Sequence, residues 1–465
     1  MIFRRFLVAG FAAVVSGCAG WQPVAPPALP STAPLPLQWQ APLAHSGSVS
    51  QLSAWWAQLG DDTLLELVEL AQAASPSLSS AAARLERARA EQVAGQAALG
   101  PTLAARASAN RGNTQYPLPL SNTANAALAA SWEADVFGEG RLVLQAAEAR
   151  AAGAQAQWHD ARVVVAAETA AQYLSLRYCE AVRAQIEADV QALDTLVRLS
   201  QLGARAGLQA QAIADQADAQ RAGVRARLLA QQAACDIDVK ALVALTALSE
   251  DELRKRLARH AGRPLEVIPA LAMSSLPAQV ISQRPDVFSA EREVVAAASE
   301  VGAAQASRLP RLAIGGSIGA FSVRGGPLAT DLSTWSIGPL QLQWPIYDGG
   351  VTKAQVKAAR AHFDHAVRQY ESRVRQAIRE VEEALVQAYF NEQRLRELQR
   401  ARAALERSVR AAEQRADAGL ESRRGVEEAR RALIDLRINE LAVIREGLIA
   451  GVSLYRAAGG GWDSR

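Results

Sequence analysis

Residues 90–103 read AEQVAGQAALGPTL, and residues 299–312 read SEVGAAQASRLPRL. Laid over one another at an offset of 209, the two stretches share six residues: Glu, Ala, Gln, Ala, Pro and Leu. Pro76 and Pro101 recur at the same offset as Pro285 and Pro310. Trp132, Gly138 and Gly207 recur as Trp344, Gly350 and Gly419 at an offset of 212. A chain written twice is one structural unit made of two similar halves, so the repeat bounds the fold before any motif does. In each half an amphipathic helix runs into a proline, a short non-helical stretch follows, and a very long helix comes next. The three-residue change in offset falls in the non-helical stretch, where loop length varies.

The long helices are the plainest signal. Val356, Phe363, Tyr370, Ala377, Ala384, Asn391, Leu398 and Leu405 recur every seven residues. Val367, Val374, Val381, Ala388, Leu395 and Val409 form a companion series, broken by Arg402. These are the a and d positions of a coiled-coil seam. No proline or glycine interrupts Lys353 to Ala418, which predicts a helix about 100 Å long at about 1.5 Å per residue. The first half matches from Arg141 to Ala206, with Gly153 and Gly203 inside it. Two such helices do not belong to an ordinary globular domain; they line a tube or a stalk.

The stretches before them read as strand hairpins, at about 102–112 with 125–136, and about 311–321 with 333–346. Leu128, Ala130, Trp132, Ala134 and Val136 alternate with Ala129, Ser131, Glu133 and Asp135; Leu340, Leu342, Trp344 and Ile346 carry the same rhythm. Strands of about ten residues with one apolar and one polar face suit a membrane barrel. Trp132, Trp335, Trp344 and Tyr347 fall near strand ends, where interfacial aromatics sit. The segments 112–124 and 322–332, rich in Gly, Pro, Asn, Ser and Thr, read as extracellular loops. Four strands cannot close, and an open edge in hydrocarbon leaves backbone N–H and C=O groups unpaired. The chain must therefore oligomerise; a trimer supplies twelve strands.

Residues 1–17 carry Arg4 and Arg5, an apolar run from Phe6 to Val15, then Ser16 and Gly17. That is a secretory leader, too short to span a bilayer. Cys18 follows, with Ala19 after it. Residues 19–47 hold seven prolines, Pro23 to Pro42, which makes an extended strap. Removing Arg4 and Arg5 lowers the formal charge from +3 to +1, so the mature chain has no nucleic-acid footprint. No mature segment reads as a membrane helix. Hydrophobic residues make up 50% but aromatics only 5%, because alanine supplies the excess; helices can then pack closely around little bulk.

Trp55-Trp56-Ala57-Gln58-Leu59-Gly60-Asp61-Asp62, with Ser75-Pro76-Ser77-Leu78 after it, resembles the opening of the outer-membrane efflux protein family, the TolC-like outer membrane factors. Ile281-Ser282-Gln283-Arg284-Pro285-Asp286-Val287 resembles the start of that family's second repeat. Trp132 to Gly138, and Pro345-Ile346-Tyr347-Asp348-Gly349-Gly350, look like its strand-to-helix junctions. Val15-Ser16-Gly17-Cys18 resembles a lipobox, which implies lipid attachment at Cys18, an outer-membrane address, and the NodT-type lipoproteins of resistance-nodulation-division pumps. The resemblance implies a homotrimer with a twelve-stranded barrel and a periplasmic α-barrel. It implies two partners, a periplasmic adaptor and an inner-membrane transporter. The expected organisation is a leader at 1–17, a lipidated strap at 18–60, repeats at 61–275 and 276–458, and a tail at 459–465.

Gly207 and Gly419 each follow a long helix, where the turn needs positive φ. The family places its adaptor-docking tips there, at Gly207-Leu208 and Gly419-Leu420. Cys179 and Cys235 lie 28 residues either side of Gly207. In an antiparallel hairpin they share a level roughly 40 Å from the tip. An oxidising compartment permits disulfides, and a Cys179–Cys235 bridge is the expectation; the alternative is two buried thiols. The family also narrows its pore with an acidic residue nine positions after the tip glycine, here Glu428. Arg424 stands where a bulky apolar residue is common, and the usual Asp is replaced by Gly425 or Val426. The expectation is a ring of Glu428 carboxylates paired with Arg423, Arg424, Arg430 or Arg431, with Asp215 a weaker contributor; a solvated charged helix face is the alternative.

No catalytic residue, cofactor site or metal site is expected. His362 and His365 lack companion ligands at metal spacing, and no phosphate-cradling glycine motif or nucleophile elbow is present. Three functions fit the pattern: the exit duct of an efflux pump, the duct of a one-step protein-secretion system, or a periplasmic coiled-coil lipoprotein. The last carries a single hairpin in its usual form, and this chain has two.

Overall fold

The computed structural model describes residues 60–112, 120–260, 277–325 and 328–462. The leader, Cys18, the strap as far as residue 59, the 261–276 junction between the repeats and residues 463–465 lie outside the described residues.

The first repeat runs α1 (Asp62–Ala74), α2 (Pro76–Ala98), β1 (Thr102–Gly112), β2 (Ser121–Ala134), α3 (Glu139–Arg205), α4 (Gln211–Thr246) and α5 (Glu250–Leu257). The second runs α6 (Pro277–Ser282), α7 (Pro285–Ala306), β3 (Arg311–Gly325), β4 (Leu328–Gln343), α8 (Val351–Asp417) and α9 (Arg423–Ala457). Both α3 and α8 are 67 residues long. Among the described residues no helix is long and apolar enough to cross a membrane.

The chain forms two compact units, and these do not coincide with the two repeats. One comprises Ala83–Gln155 and Ser289–Glu371; the other includes Ala156–Phe288 and Ser372–Arg465. Helices as long as α3 and α8 pass through both units, so each unit draws on both repeats.

The first unit holds one antiparallel sheet in the order β1-β2-β3-β4. The strands extend further into the turns than their composition suggests. β2 begins at Ser121, β3 reaches Gly325 and β4 starts at Leu328, because the ladder continues through Arg111↔Asn122 and Arg324↔Ala329. At the other end they stop short of 136 and 346, where the chain turns to enter α3 and α8. Opposite residues in register share a face. The row Ala105–Leu128–Ile318–Trp335 therefore lies on one face, together with Leu103, Trp132, Ile314, Leu340 and Leu342. The other face carries Thr102, Arg106, Ser108, Ser131, Glu133, Ser317, Ser336 and Gln341. An irregularity between Ile314 and Gly316 sets two β3 positions against three on β4, at Gly338-Pro339. The extra residue restores parity, so Trp335 and Ile337 share the apolar face with Leu340 and Leu342.

The same unit packs α3, α7 and α8 through small residues. Ala146, Ala149 and Ala296 form one cluster, and Val294, Ala297 and Ala366 another, flanked by Phe363, Val367 and Tyr370. The second unit has a larger core in which Tyr173, Leu176, Leu242, Leu253, Val280 and Leu454 are almost fully buried beside Leu64 and Leu67 of α1. The seam of α8 is buried at Val374, Ala377, Val381, Ala384 and Leu395. The break at Arg402 is an ion pair, its Nη1 2.8 Å from Glu440 of α9.

Candidate functional site

Three places bear on function: the helix tips, the strand-to-helix junctions and the apolar sheet face. At both junctions an aspartate caps the long helix. Asp135 accepts from the backbone N–H of Gly140 and Arg141 at 3.0 Å each. Asp348 accepts from Gly350 at 2.9 Å and Thr352 at 2.8 Å. The carboxylates meet orphan N–H groups and the positive end of the helix dipole, which lowers the Asp348 pKa. The Trp132 indole donates to the Leu99 carbonyl at 2.9 Å, and Trp344 to the Arg308 carbonyl at 3.3 Å. The sequence repeat is thus preserved down to single hydrogen bonds.

The two tips are built alike. At the first, Gly207 N–H donates to Ala204 at 3.0 Å and Leu208 N–H to Gly203 at 2.9 Å, with Gly207 at φ +71. At the second, Gly419 donates to Ala416 at 3.1 Å and Leu420 to Arg415 at 2.8 Å, with Gly419 at φ +73. Each is a Schellman motif. In such a motif the residue after the glycine is commonly covered by the side chain five positions earlier. Here those positions are Gly203, with no side chain, and Arg415, engaged with Glu421. Leu208 and Leu420 are consequently 83% and 77% exposed.

Cys179 and Cys235 are joined, with Cα atoms 5.5 Å apart, at one level of the α3–α4 hairpin. The bond lies in the core of the second unit, and the Gln231 amide donates to the Cys179 carbonyl at 3.2 Å. Closing a loop of this size (sequence separation 56) corresponds to about 4 kcal/mol in the chain-entropy description.

The charged groups after the second tip are shared out differently from the sequence expectation. Of the four arginines, only Arg424 meets Glu428, at 2.8 Å, one helical turn apart and half exposed. Arg423 spans the turn to Asp417 at 3.3 Å. Arg430 binds Glu413 of α8 at 2.7 Å and Glu427 at 3.0 Å. Arg431 binds Asp189 of α3 at 2.7 Å, and that carboxylate is only 6% exposed. Asp215 accepts from Gln211 of its own helix at 3.0 Å. An exposed pair one turn apart is worth about 0.5 kcal/mol or less, so the cross-repeat tie is Arg431–Asp189. Sequence reading missed Asp189. Its signal is a carboxylate in the heptad series Val182, Asp189, Leu196, whose other two members are buried.

His362 faces Glu300 at 3.4 Å and Glu293 at 3.8 Å, and both carboxylates are held by Arg150. Among the described residues no group of three ligating side chains is placed to hold a metal.

Arg284 ties three helices. It binds Asp286 through Nε at 3.0 Å and Nη2 at 2.8 Å, Glu380 of α8 at 2.8 Å, and the Ala457 carbonyl of α9 at 3.0 Å. Burial works to raise the Asp286 carboxyl, yet its bonds to Arg284 and the nearby Arg373 hold it below its usual value. Asp160 of α3 stands beside this cluster. Burial pushes its carboxyl above the usual range, Asp286 adds to that, and Arg284, Arg456 and Arg373 offset only part. A raised carboxyl binds its proton more tightly folded than unfolded. Its contribution therefore falls as pH climbs from the ordinary carboxylate value through the raised one, and above that it is a constant penalty. Asp160→Asn is expected to raise the thermal midpoint at pH 7.5 and to change it little at pH 3. Heating purified protein at the two pH values and following loss of helical circular dichroism tests this; an equal or lower midpoint at pH 7.5 refutes it.

The family model described as outer membrane efflux protein matches residues 67–248 and 276–460, one match on each repeat. The chain belongs to the outer membrane efflux protein family. It is an outer-membrane protein with the fold of the TolC-like channels. It is 30% identical over 450 residues to outer membrane protein OprJ of Pseudomonas aeruginosa, across 93% of this chain and 91% of that one. It is 30% identical over 458 residues to the solvent efflux pump outer membrane protein SrpC of Pseudomonas putida, covering 93% of each. Among solved structures, the outer-membrane channel OprN superposes with a TM-score of 0.82 at 26% identity, over 95% of this chain and all of that one.

Proposed function

We propose that three copies of this chain form the exit duct of a tripartite efflux pump. Their sheets close into one twelve-stranded barrel in the outer membrane, and their long helices enclose a hollow cylinder in the periplasm. Drugs or other small solutes pass from an inner-membrane transporter, through a periplasmic adaptor, into this duct and out of the cell. The duct is passive, and the energy comes from the transporter. The observation that carries the reading is the sheet: four strands, two open edges, one face apolar from the helix junctions through the row of Leu128, Ile318 and Trp335, each hairpin feeding a 67-residue helix. Open edges are stable in hydrocarbon only when another sheet pairs with them.

Acyl chains on Cys18 anchor the strap in the membrane. The uncovered Leu208 and Leu420 receive the adaptor, and Glu428, beside Arg424, lines the closed pore. The secretion-duct reading differs in partner rather than architecture, and relatives named for solvent, toluene and antibiotic efflux favour the pump. The sheet's apolar face has no use in a periplasmic coiled-coil lipoprotein.

The purified protein in detergent is expected to have the mass of three chains and to conduct ions in planar bilayers. Leu208→Cys and Leu420→Cys are expected to cross-link in cells to an adaptor hairpin. A monomer that is water-soluble once its acyl groups are removed overturns the reading.

A further inference from the structure

The apolar face of the sheet ends in a charged row. Arg111 of β1, Asn122 of β2 and Arg324 of β3 stand directly opposite one another in register. They lie on the face of Leu128 and Ile318, because an even number of residues separates them along each strand. The two arginines are two strands apart, about 10 Å between backbones, with only the short Asn122 between them. Both are exposed. Arg324 spends one terminal nitrogen on Asp331, 3.1 Å away, leaving Nε and the other nitrogen for a further acceptor. Arg111 has no partner among the described residues.

The height of this row decides what it meets. Ten residues of β2 separate Trp132, beside the helix junction, from Asn122. At about 3.3 Å per residue and a strand tilt near 40°, that is about 25 Å along the membrane normal, the height of a barrel's apolar band. With Trp132 at the periplasmic interface, the arginines sit among the headgroups of the opposite, outer leaflet. There the anions on offer are lipid phosphates, which match paired guanidinium forks.

We propose that Arg111 and Arg324, flanking Asn122, clamp the phosphate of an anionic outer-leaflet lipid. The proposal rests on the barrel reading above, which sets the orientation of the strands. Each of three copies contributes one clamp, and three bound lipids seal the outer rim of the apolar band.

Native mass spectrometry of the detergent-purified trimer, titrated with bisphosphorylated lipid A, tests it. Wild-type protein is expected to retain lipid A, and Arg111→Gln/Arg324→Gln to bind about thirtyfold more weakly, the factor for two arginines at an anionic surface. Arg106→Gln, on the opposite face of β1, serves as the control and is expected to bind as wild type. Inorganic phosphate at millimolar concentration is expected not to displace the lipid, and dephosphorylated lipid A not to bind. Equal retention by the double variant, or an equal loss in Arg106→Gln, overturns the clamp while a conducting trimer leaves the duct standing. Absence of a trimer in the wild type overturns both.

Discussion

Leu128→Arg is expected to abolish the assembled channel, whereas Ala129→Arg, one residue along, leaves it intact. Leu128 lies in the row Ala105–Leu128–Ile318–Trp335, near the middle of the apolar face. Ala129 lies opposite Ala104 and Ser317, on the face of Arg106 and Glu133. A lipid-facing arginine at mid-depth costs about 2–4 kcal/mol, and three copies multiply that to about 6–12 kcal/mol per assembly. The sum is comparable to the whole stability of a typical protein. The same guanidinium at Ala129 meets water in the lumen. Its effect is on conduction, where three added cations shift selectivity toward anions. Heat-modifiable migration of outer-membrane fractions reads out assembly directly. A normal oligomer from Leu128→Arg, or its loss in both variants, would show that the two faces are wrongly assigned.

Arg431→Ala is expected to destabilise the tip of the second hairpin and to raise resting conductance. The change strands the Asp189 carboxylate in a buried position, at a cost of about 3–5 kcal/mol per chain. It also cuts the tie between α9 and α3, whose partners lie 242 residues apart in sequence. Arg431→Lys restores the charge but not the Nε bond, and is expected to recover only part of the loss. The pair Asp189→Leu/Arg431→Met is expected to regain thermal stability without regaining the closed state, because burying no charge is cheaper than burying one unpaired. Glu428→Ala provides the contrast, removing an exposed pair with Arg424 and leaving the melting temperature nearly unchanged. Unaltered conductance and melting in Arg431→Ala would remove Asp189–Arg431 from the account of closure.

Much of this architecture is written locally and so was legible. Helix length follows from the absence of breakers between Lys353 and Ala418. The tips follow from Gly207 and Gly419, which take the positive φ of a helix-ending turn without a Cβ penalty. The level of Cys179 and Cys235 follows from counting to Gly207, because a hairpin is symmetric about its turn. What escaped is non-local or depends on one inserted residue. The polar turn segments read as loops because composition does not reveal that ladder pairing continues into them. Alternation along β4 breaks at Gly338-Pro339, and only the pairing with β3 shows that Trp335 shares a face with Leu340. The partners of Arg423, Arg430 and Arg431 were assigned by proximity in sequence to Glu428. Three different helices supply nearer carboxylates or compete for them, and which of them wins is set by how α3, α8 and α9 pack, within the second repeat for Arg423 and Arg430 and between repeats for Arg431.

The order of the strands has a genetic consequence. One free edge of the sheet comes from the first repeat, at β1, and the other from the second, at β4. Every seam between neighbouring copies must then marry unlike edges, and a single faulty seam is enough to leave backbone groups bare in lipid. A cell that makes both sound and edge-damaged chains will build mostly mixed rings, and those rings fail as units. Mutations confined to β1 or β4 should therefore behave as dominant alleles, while lesions in the loops beyond them should be recessive.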